Sequence, residues 1–464
     1  MARGGDAGSW APAIRKSDGP LYLAIADALS ADILSGTLIE GARLPTQRSL
    51  AQALGIDFTT VTRAYAEARR RGLVDGRVGQ GTYVRAKPAK TARDGSDVVD
   101  MSMNLPPRFD DAGLTVRMWS GIAGLESSGG LDLLLRYQKP GGAVADRSAG
   151  GLWLGGRLPS VPIDRILVCP GAQGALLAVV GLLAAPGDTI CAEALTFPGF
   201  RSIAAHMRIR LVGAPIDSQG IVPDAFEQIC REHKLKALYC NPTLHNPTTS
   251  TLPLERREAL VALARRYQVP IIEDDAYGAL PTDPVPPLAA LAPDVVYHVA
   301  GLAKCLSPAL RIAYLVVPDS RTAARVAGAM RAMASMVSPL TAAIATRWIE
   351  DGTASAVVAA IRQESTARQS IASNILPSDL VVADPRGFHA WLRLPEPWTR
   401  GEFAARLRSA GIGVVGSDAF ALTSPPEAVR LGLGAPVSRD ELRQSLQFIA
   451  DLMAGLPAMS SLVV

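Results

Sequence analysis

Residues 295–318, VVYHVAGLAKCLSPALRIAYLVVP, hold a single lysine between two apolar runs. Residues 295–300 form the first run, Lys304 lies in the short polar loop after it, and residues 312–317 form the second run. Apolar runs of this length predict buried strands, so Lys304 is expected at the end of one. Burial at a strand end, together with a cationic neighbour, lowers the pKa of a lysine and makes its amine a nucleophile able to form a Schiff base.

Strand-like and helix-like stretches alternate along the chain from about residue 100 onward. This alternation predicts an α/β fold with a largely parallel sheet and helices on both of its faces. Ligands of such folds bind at the carboxyl ends of the strands, where the candidate residues described next are expected to fall. The expected strands are RILVCPG (165–171), DTICAE (188–193), KALYCNP (236–242), VPIIEDD (269–275) and VVYHVA (295–300).

Two loops that follow expected strands carry a carboxylate, a phenol and an amide. Asp274 lies in VPIIEDD just after the apolar run 269–272, Tyr277 comes three residues later, and Asn246 lies in NPTLHNPTTS. A buried carboxylate can keep a pyridinium nitrogen protonated, as pyridoxal 5′-phosphate (PLP) requires, and Tyr277 and Asn246 can meet its phenolate oxygen. The alternatives are a helix cap for Asp274 and an ordinary Asn-Pro turn for Asn246. The separation of 28 residues between Asn246 and Asp274, one strand–helix–strand unit, favours a shared site.

A phosphate site is expected where the stretch CPGAQGALLAVV (169–180) turns from strand to helix. The backbone amides of Ala172 and Gln173 would lie at the helix N-terminus and bind an anion, although a plain helix start gives the same pattern. Arg311 offers a guanidinium for bidentate phosphate contact. Phe197, in AEALTFPGF, is a candidate for stacking on a cofactor ring, with a core aromatic as the alternative.

Six motifs follow one another along the chain in the order found in one known superfamily. They are the Gly-Ala-Gln loop, the aromatic-Pro pair, Asn-Pro-Thr, the Asp with its Tyr, the lysine and the arginine. Residues 100–464 resemble, through these motifs, the fold-type I PLP enzymes of the aspartate aminotransferase superfamily. The resemblance implies PLP as cofactor and a homodimer. The implied roles are the Schiff base for Lys304, the pyridine nitrogen for Asp274, the phenolate oxygen for Asn246 and Tyr277, ring stacking for Phe197, and the phosphate for Ala172, Gln173 and Arg311.

Two further residues receive roles from this resemblance. Tyr137, in LLRYQKPGG, is similar to the tyrosine that reaches the phosphate across the dimer interface. Arg430, in EAVRLGLGAP, is similar to the arginine that binds the α-carboxylate of a substrate, with a surface charge as the alternative. The chain departs from the superfamily where hydroxyl-bearing residues usually precede the lysine, because Gly301 and Ala303 stand there. Fewer hydroxyls imply weaker binding of the cofactor phosphate.

The first ninety residues predict a different unit, three helices followed by a short hairpin. Helices are expected over about 21–33, 46–55 and 59–71, and two strands within LVDGRVGQGTYV (73–84). This order is that of a winged helix-turn-helix, whose third helix enters the major groove of DNA. The expected DNA contacts are Arg48, Thr59, Thr60, Thr62, Arg63 and, in the wing turn, Gly79.

The charge distribution agrees with an anionic partner for this unit. Residues 1–90 hold 13 Lys and Arg against 8 Asp and Glu, whereas the rest of the chain holds 34 against 35. Residues 21–84 strongly resemble the DNA-binding domain of the GntR family, whose LPS-x-R motif appears as LPTQR and whose wing appears as GRVGQGTYV. Phe58 stands where that family often has an arginine. The alternative is a helical dimerisation module without a role on DNA.

The order of the two units resembles that of the MocR subfamily of GntR transcription regulators. The resemblance implies a PLP-dependent regulator that binds a double-stranded DNA operator and senses a small amine or amino-acid effector by aldimine exchange at Lys304. One alternative is a working aminotransferase with an appended DNA-binding domain, which measurable transamination would reveal. The other is a regulator whose large domain has lost PLP and only dimerises, which the lack of an aldimine absorbance band would reveal. The expected segments are a tail (1–18), a winged helix (19–86), a linker (87–99) and an aminotransferase-like domain (100–464) with a large part (about 150–330) and a small C-terminal α+β part (about 340–464).

The amino-acid composition indicates the general class of protein and its expected compartment. A hydrophobic content of 48% with 19% charged residues is typical of a folded chain of several compact units. The five cysteines are scattered without metal-ligand spacing, and residues 1–20 lack the apolar core of a signal peptide. The longest apolar stretch, 175–186, is too short to cross a bilayer. We therefore expect a cytoplasmic protein with no metal site and no membrane partner.

Overall fold

The chain divides into two compact units, Met1–Asp97 and Val98–Val464. Within the described part of the chain, no helix combines the length and the apolar character needed to cross a membrane. The computed structural model describes residues 10–12, 20–34, 37–38, 41–70, 73–77, 81–84, 99–125, 130 and 132–455.

The described residues of the N-terminal unit form three helices and an antiparallel hairpin, so the predicted winged-helix architecture is confirmed. The Thr46 hydroxyl caps the second helix by accepting a hydrogen bond from the Ser49 amide at 3.1 Å, and Gly55 ends that helix at φ 63°. Gly79 and Gln80 of the predicted wing turn lie outside the described residues, whereas Gly81 begins the second strand of the hairpin. The elements are α1 (Leu21–Leu34), α2 (Gln47–Leu54), α3 (Phe58–Arg70), β1 (Val74–Arg77) and β2 (Gly81–Val84).

A small apolar core holds the three helices together. Ile25 and Leu29 of α1 pack with Leu50 of α2 and Val61 of α3, and all four side chains are buried. The buried Tyr65 hydroxyl donates a hydrogen bond to the Pro45 carbonyl at 2.9 Å, which ties α3 to the segment before α2. This packing fixes the two helices of the helix-turn-helix relative to each other.

In the described part of the second unit, seven strands form one sheet, in which β12 (Ala313–Val316) alone runs antiparallel to its neighbours. All other adjacent pairs are parallel, which confirms the predicted mostly parallel sheet. In spatial order the strands are β4 (Ile166–Cys169), β12 (Ala313–Val316), β11 (Val296–Gly301), β10 (Ile271–Asp274), β9 (Leu235–Cys240), β5 (Thr189–Glu193) and β6 (Arg210–Ala214).

Helices cover both faces of this sheet. Ile271 and Ile272 are neighbours in β10, yet each belongs to a different cluster of buried side chains, one on each face of the sheet. Burial on both faces explains why the strands are continuous apolar runs rather than alternating ones. The helices are α4 (Ala112–Ala123), α5 (Asp132–Leu135), α6 (Val144–Leu154), α7 (Gly171–Leu183), α8 (Pro198–His206), α9 (Pro223–Glu232), α10 (Leu254–Tyr267), α11 (Leu288–Leu291), α12 (Ser320–Ala334) and α13 (Pro339–Glu350).

The C-terminal part is a smaller α+β arrangement, as expected. Its four-stranded antiparallel sheet packs with α14 and α16 around a third apolar cluster that includes Leu392, Phe403 and Leu431. The short strand β3 joins this part by pairing in parallel with β15. The remaining elements are β3 (Val99–Asp100), the hairpin strands β7 (Ile216–Asp217) and β8 (Gly220–Ile221), α14 (Thr353–Ile375), β13 (Val381–Ala383), β14 (His389–Arg393), α15 (Arg400–Ser409), β15 (Ile412–Gly413), β16 (Val415–Gly416), β17 (Ala428–Gly432) and α16 (Arg439–Ala454).

Candidate cofactor site and nucleic-acid interface

Lys304 lies in the turn that follows β11, at the carboxyl end of the strand, where the apolar run before it predicts. Its Nζ donates a hydrogen bond to the backbone carbonyl of Asn104. Burial, and then the charge of Arg430, lower the pKa of the Lys304 amine to about 8, while Asp274 acts in the opposite direction. Much of the amine is therefore unprotonated at mildly alkaline pH, and this is the nucleophilic form.

Asp274 ends β10 and is buried. Its Oδ2 accepts a hydrogen bond from the Tyr239 hydroxyl at 2.9 Å, whereas its buried Oδ1 has no hydrogen-bond partner among the described residues. Burial raises the pKa of the carboxyl to about 6. A buried oxygen without a partner is costly unless a donor from outside the chain satisfies it. The Asp274 carboxylate therefore fits the protonated ring nitrogen of a pyridine cofactor.

Arg430 lies on β17 and is buried, which rules out the surface charge considered as its alternative. Its Nη1 donates to the side-chain oxygen of Asn246 at 2.8 Å, and its Nη2 donates to the Ser102 carbonyl. Nε has no partner among the described residues. Because arginine only donates, the Asn246 atom that faces it must be the oxygen. The side-chain nitrogen of Asn246 is then left to donate to a phenolate oxygen.

Asn104 is a site residue that the sequence pattern does not indicate. Its side-chain nitrogen donates to the Tyr277 hydroxyl at 2.7 Å, and its backbone carbonyl accepts from Lys304. Asn104 comes to the site because the preceding strand β3 pairs with β15 from the other end of the unit. The one signal in the sequence is the apolar segment MSMNLPP (101–107), which directly follows the polar linker.

Asn241 holds the two loops that carry Asp274 and Asn246. Its side-chain nitrogen donates to the Asp274 carbonyl at 2.6 Å, and its side-chain oxygen accepts from the Asn246 amide at 2.9 Å. Its own amide donates to the carboxylate of buried Glu193 at 2.6 Å, and burial raises the pKa of Glu193 to about 8. Asn241 is therefore a positioning residue, and the first Asn-Pro of NPTLHNPTTS is its signal in the sequence.

The residues predicted to bind phosphate meet at the start of α7. Gly171 has φ 75°, and a β-carbon there would lie 3.4 Å from the guanidinium carbon of Arg311, so Arg311 borders the first turn of the helix. A β-carbon on Gly301 would lie 3.2 Å from that of Ala172. The end of β11 therefore lies against the start of α7. A larger side chain at position 301, as in the aminotransferase pattern, would prevent this close approach.

Phe197 and Gln173 are neighbours across Gly199. A β-carbon on Gly199 would overlap the Phe197 ring and would lie 3.0 Å from the side-chain nitrogen of Gln173. Phe197 is half-buried and also packs against the apolar cluster on this face of the sheet. Tyr137 differs from the other predicted residues because its side chain is 86% exposed. A single chain therefore does not bring Tyr137 into the site.

The predicted DNA-contacting side chains differ in what they already contact. Arg48 is exposed on α2, and the Arg63 guanidinium lies 4.3 Å from the centre of the Tyr22 ring. The Thr62 hydroxyl lies 3.0 Å from Gln47 Oε1, and the Thr59 hydroxyl donates to Asp57. Thr60 is half-buried in the first turn of α3. Of these side chains, Arg48 is the one most available to DNA.

Phe58 is exposed at the first position of α3, although the sequence pattern assigns it no contact. Its side chain is 44% exposed and borders a surface cavity of about 350 Å³ together with Arg43, Arg48 and Gly81. An exposed aromatic side chain at the start of a recognition helix can contact a thymine methyl group. An exposed aromatic side chain therefore stands where the GntR pattern often has an arginine.

Comparison with known proteins agrees with this geometry. Residues 126–449 match the family Aminotransferase class I and II, and residues 21–84 match Bacterial regulatory proteins, gntR family. The fold resembles that of kynurenine aminotransferase from Pyrococcus horikoshii, with a TM-score of 0.71 and 22% identity over 80% of this chain and 93% of that one.

Two curated relatives align with this chain over at least nine-tenths of both sequences. The HTH-type transcriptional regulator YdeF of Bacillus subtilis is 29% identical over 97% of both chains. The vitamin B6 salvage pathway transcriptional repressor PtsJ of Salmonella typhimurium is 27% identical over 90% of this chain and 95% of its own. The chain belongs to the MocR-type regulators, in which a gntR-type DNA-binding domain is joined to a class I and II aminotransferase domain.

The cofactor of this family is PLP, and the described residues fit it. Asp274 offers an unpaired buried oxygen, Asn246 keeps a free amide donor, and Lys304 offers an amine with a lowered pKa. Arg311 and the first turn of α7 supply positive charge on the phosphate side.

The rate at which the apoprotein combines with PLP through Lys304 is expected to rise with pH, with a midpoint at about pH 8, the pKa of the Lys304 amine. Below this value the amine is protonated and cannot attack, and above it the amine is free. Rapid-mixing absorbance measurements over a pH series check this. A midpoint near 10.5, the ordinary value for lysine, would show that burial does not lower the pKa of Lys304.

Proposed function

We propose that this protein is a PLP-dependent DNA-binding transcription regulator that senses a small amine or amino acid at Lys304. The observation that carries the proposal is the linked set Lys304, Asp274, Asn246 and Arg430 in a chain that also holds a winged helix. The names of two relatives, a vitamin B6 salvage repressor and a pyridoxine biosynthesis regulator, support a regulatory role for this domain pair.

Each residue of the site has a proposed task. Lys304 would hold the cofactor, Asp274 its ring nitrogen, and Asn246 and Tyr277 its phenolate oxygen. When bound, the cofactor supplies a carbon that bonds covalently to primary amines, which makes the site selective for amine effectors. Phe197 would stack on the ring, and Ala172, Gln173 and Arg311 would hold the phosphate.

Arg430 would bind the carboxylate of an amino-acid effector. Its present partners are Asn246 and the Ser102 carbonyl, and a bidentate carboxylate would compete with both of them. Lys304 similarly contacts the Asn104 carbonyl. Both cations therefore contact the segment 102–104, which follows the linker to the DNA-binding unit. An effector that replaces the contacts of Lys304 and Arg430 with this segment would alter the position of the segment. We propose this as the route by which effector binding changes DNA binding.

A homodimer is proposed from an exposed apolar face on the second unit. Its helices α4, α5, α6 and α13 pack together, with α13 in contact with the other three. Large apolar side chains exposed on helices that pack together favour an interface with another chain. Tyr137 follows the exposed Leu135 by two residues and would reach the phosphate site of a second copy. The exposed side chains are Val116, Trp119, Leu135, Val144 and Leu340.

Replacing Arg48 with alanine is expected to weaken DNA binding and to lower the slope of log affinity against log salt by about one unit, since one phosphate contact is lost. Fluorescence anisotropy with a duplex selected from random-sequence DNA measures both quantities. Arg325→Ala is the matched control, because it removes an exposed arginine from α12 of the other unit. Equal affinity and slope in Arg48→Ala and the wild type would reject this contact surface.

A working aminotransferase is the second candidate, because the groups that turnover requires are all present at Lys304, Asp274 and Arg430. Incubation of the holoprotein with an amino acid and a 2-oxo acid separates the two candidates. Full transamination at ordinary enzymatic rates favours the enzyme, and a response of DNA affinity to the amine without turnover favours the regulator.

A further inference from the structure

A second cavity, of about 340 Å³, lies in the second unit and is lined by none of the proposed cofactor residues. Its volume is within the usual range for small-molecule sites. The polar side chains that line it are Arg157, Arg362, Thr282 and Ser355, and its lining contains no aspartate or glutamate. The apolar part of its wall consists mainly of Leu152, Trp153, Pro281, Pro284, Ile349 and Val358.

Arg157 is the more buried of the two arginines in this cavity. Its side chain is 8% exposed, and its Nη1 pairs with the Asp275 carboxylate. Its Nε and Nη2 make no hydrogen bond to any residue in the described part of the chain. A β-carbon on Gly278 would overlap both Arg157 and Asp275, so glycine is required there for the pair to form. Arg157 thus retains donors beside the cavity.

Arg362 and the start of α14 add positive potential. Arg362 Nε donates to the Leu280 carbonyl at 2.6 Å, and its Nη2 donates to the Ala279 carbonyl at 2.7 Å, which holds the guanidinium in the wall. Ser355 lines the cavity in the first turn of α14, a helix of 23 residues. The N-terminus of a helix carries partial positive charge. Two cations and a helix start face a cavity whose lining carries no acidic side chain.

We propose that this cavity is a second ligand site, for a small organic carboxylate with an aromatic or aliphatic body. The carboxylate would bind the free donors of Arg157 near the start of α14, and the body would pack against Trp153 and the apolar wall. This inference does not rest on the proposed function, because it needs neither DNA binding nor an amine effector.

The same cavity is connected to the cofactor site through charged side chains. Asp275, the partner of Arg157, directly follows Asp274 in the chain and lies 3.6 Å from His298 Nε2. His298 Nδ1 in turn lies 2.8 Å from Glu273 Oε2. A carboxylate bound at the free donors of Arg157 would weaken the attraction between Arg157 and Asp275. It would thereby change the electrostatic field at Asp274 and the absorbance of bound PLP.

The test uses full-length holoprotein and the probe para-fluorobenzoate, observed by fluorine NMR, with neutral para-fluorobenzamide as ligand control. Ser355→Glu places a negative charge at the cavity, and the exposed position in the first turn of a helix tolerates an acidic residue. Ser355→Gln is the matched variant, of similar size without charge. Probe binding is expected in the wild type and in Ser355→Gln, and about tenfold weaker in Ser355→Glu, equivalent to ~1.4 kcal/mol.

Three results would overturn the inference. Absence of probe binding to the wild type removes the site, and equally strong binding of the benzamide removes its selectivity for an anion. Equal binding to Ser355→Glu and the wild type would mean that the probe lies elsewhere, for example at Arg430. A change in PLP absorbance upon binding that is lost in Ser355→Glu supports the coupling, and binding without a spectral change refutes it.

Discussion

Lys304→Ala is expected to remove completely the absorbance band of covalently held PLP. The side chain of Lys304 supplies the one amine that the described residues place beside Asp274 and Arg430, as their mutual effects on its pKa indicate. Alanine has no nucleophile, so PLP could bind only through non-covalent contacts. The measurement is the absorbance spectrum of purified protein after incubation with PLP.

Lys236→Ala is the control for this substitution. Lys236 is a partly exposed lysine that lies 3.8 Å from Asp188, away from the proposed cofactor residues. Its removal should leave the spectrum unchanged. A band that persists in Lys304→Ala would mean that another amine holds the cofactor, and the assignment of the whole site would then be wrong.

Asp274→Asn is expected to weaken the affinity for PLP by about ten- to a hundredfold, since a hydrogen bond to a charged group contributes roughly 1.5–3 kcal/mol. The amide cannot stabilise a protonated ring nitrogen as a carboxylate does. An amide oxygen can still accept the Tyr239 hydroxyl, which keeps the local structure intact. Titration of apoprotein with PLP, followed by absorbance, gives the affinity.

The matched control for the carboxylate is Asp217→Asn. Asp217 pairs with Arg256 at 2.6 Å in a hairpin outside the proposed site, so its substitution should not change PLP affinity. If Asp274→Asn bound PLP as tightly as the wild type, the unpaired oxygen of Asp274 would not be the partner of the ring nitrogen.

The positions of Lys304 and Asp274 at the ends of strands can be predicted from the sequence. Lys304 and Asp274 each follow an apolar run, and β11 and β10 are adjacent parallel strands. Since the carboxyl ends of such strands lie at one edge of the sheet, local patterns suffice to bring these two residues together. The same reasoning places the start of α7, the predicted anion site, directly after the short turn that follows β4.

Residues brought in by long-range pairing could not be predicted in this way. Asn104 enters the site through the pairing of β3 with β15, and no local pattern specifies that partner. The burial of Arg430 depends on Asn246 and Ser102, which lie far from it in the sequence. Arg63 was expected at DNA, yet its guanidinium also lies over Tyr22 of another helix, a packing contact that periodicity does not reveal.

Gly301 shows how a departure from a family pattern can have a structural cause. From the sequence alone, the absence of a hydroxyl-bearing side chain at position 301 predicts weaker binding of the cofactor phosphate. In the structure, the absent β-carbon allows the end of β11 to approach Ala172 at the start of α7. The start of α7, whose backbone amides are the predicted phosphate donors, thereby lies close to the strand that leads to Lys304.

The central proposal, that chemistry at Lys304 controls DNA binding, is tested most directly by measuring the DNA affinity of the holoprotein with and without amines. The duplex is one selected from random-sequence DNA, and the amines are those that change the PLP spectrum. Such an amine is expected to change DNA affinity in the wild type and to have no effect on Lys304→Ala. Unchanged DNA affinity in the wild type, or an equal response in Lys304→Ala, would contradict the proposal.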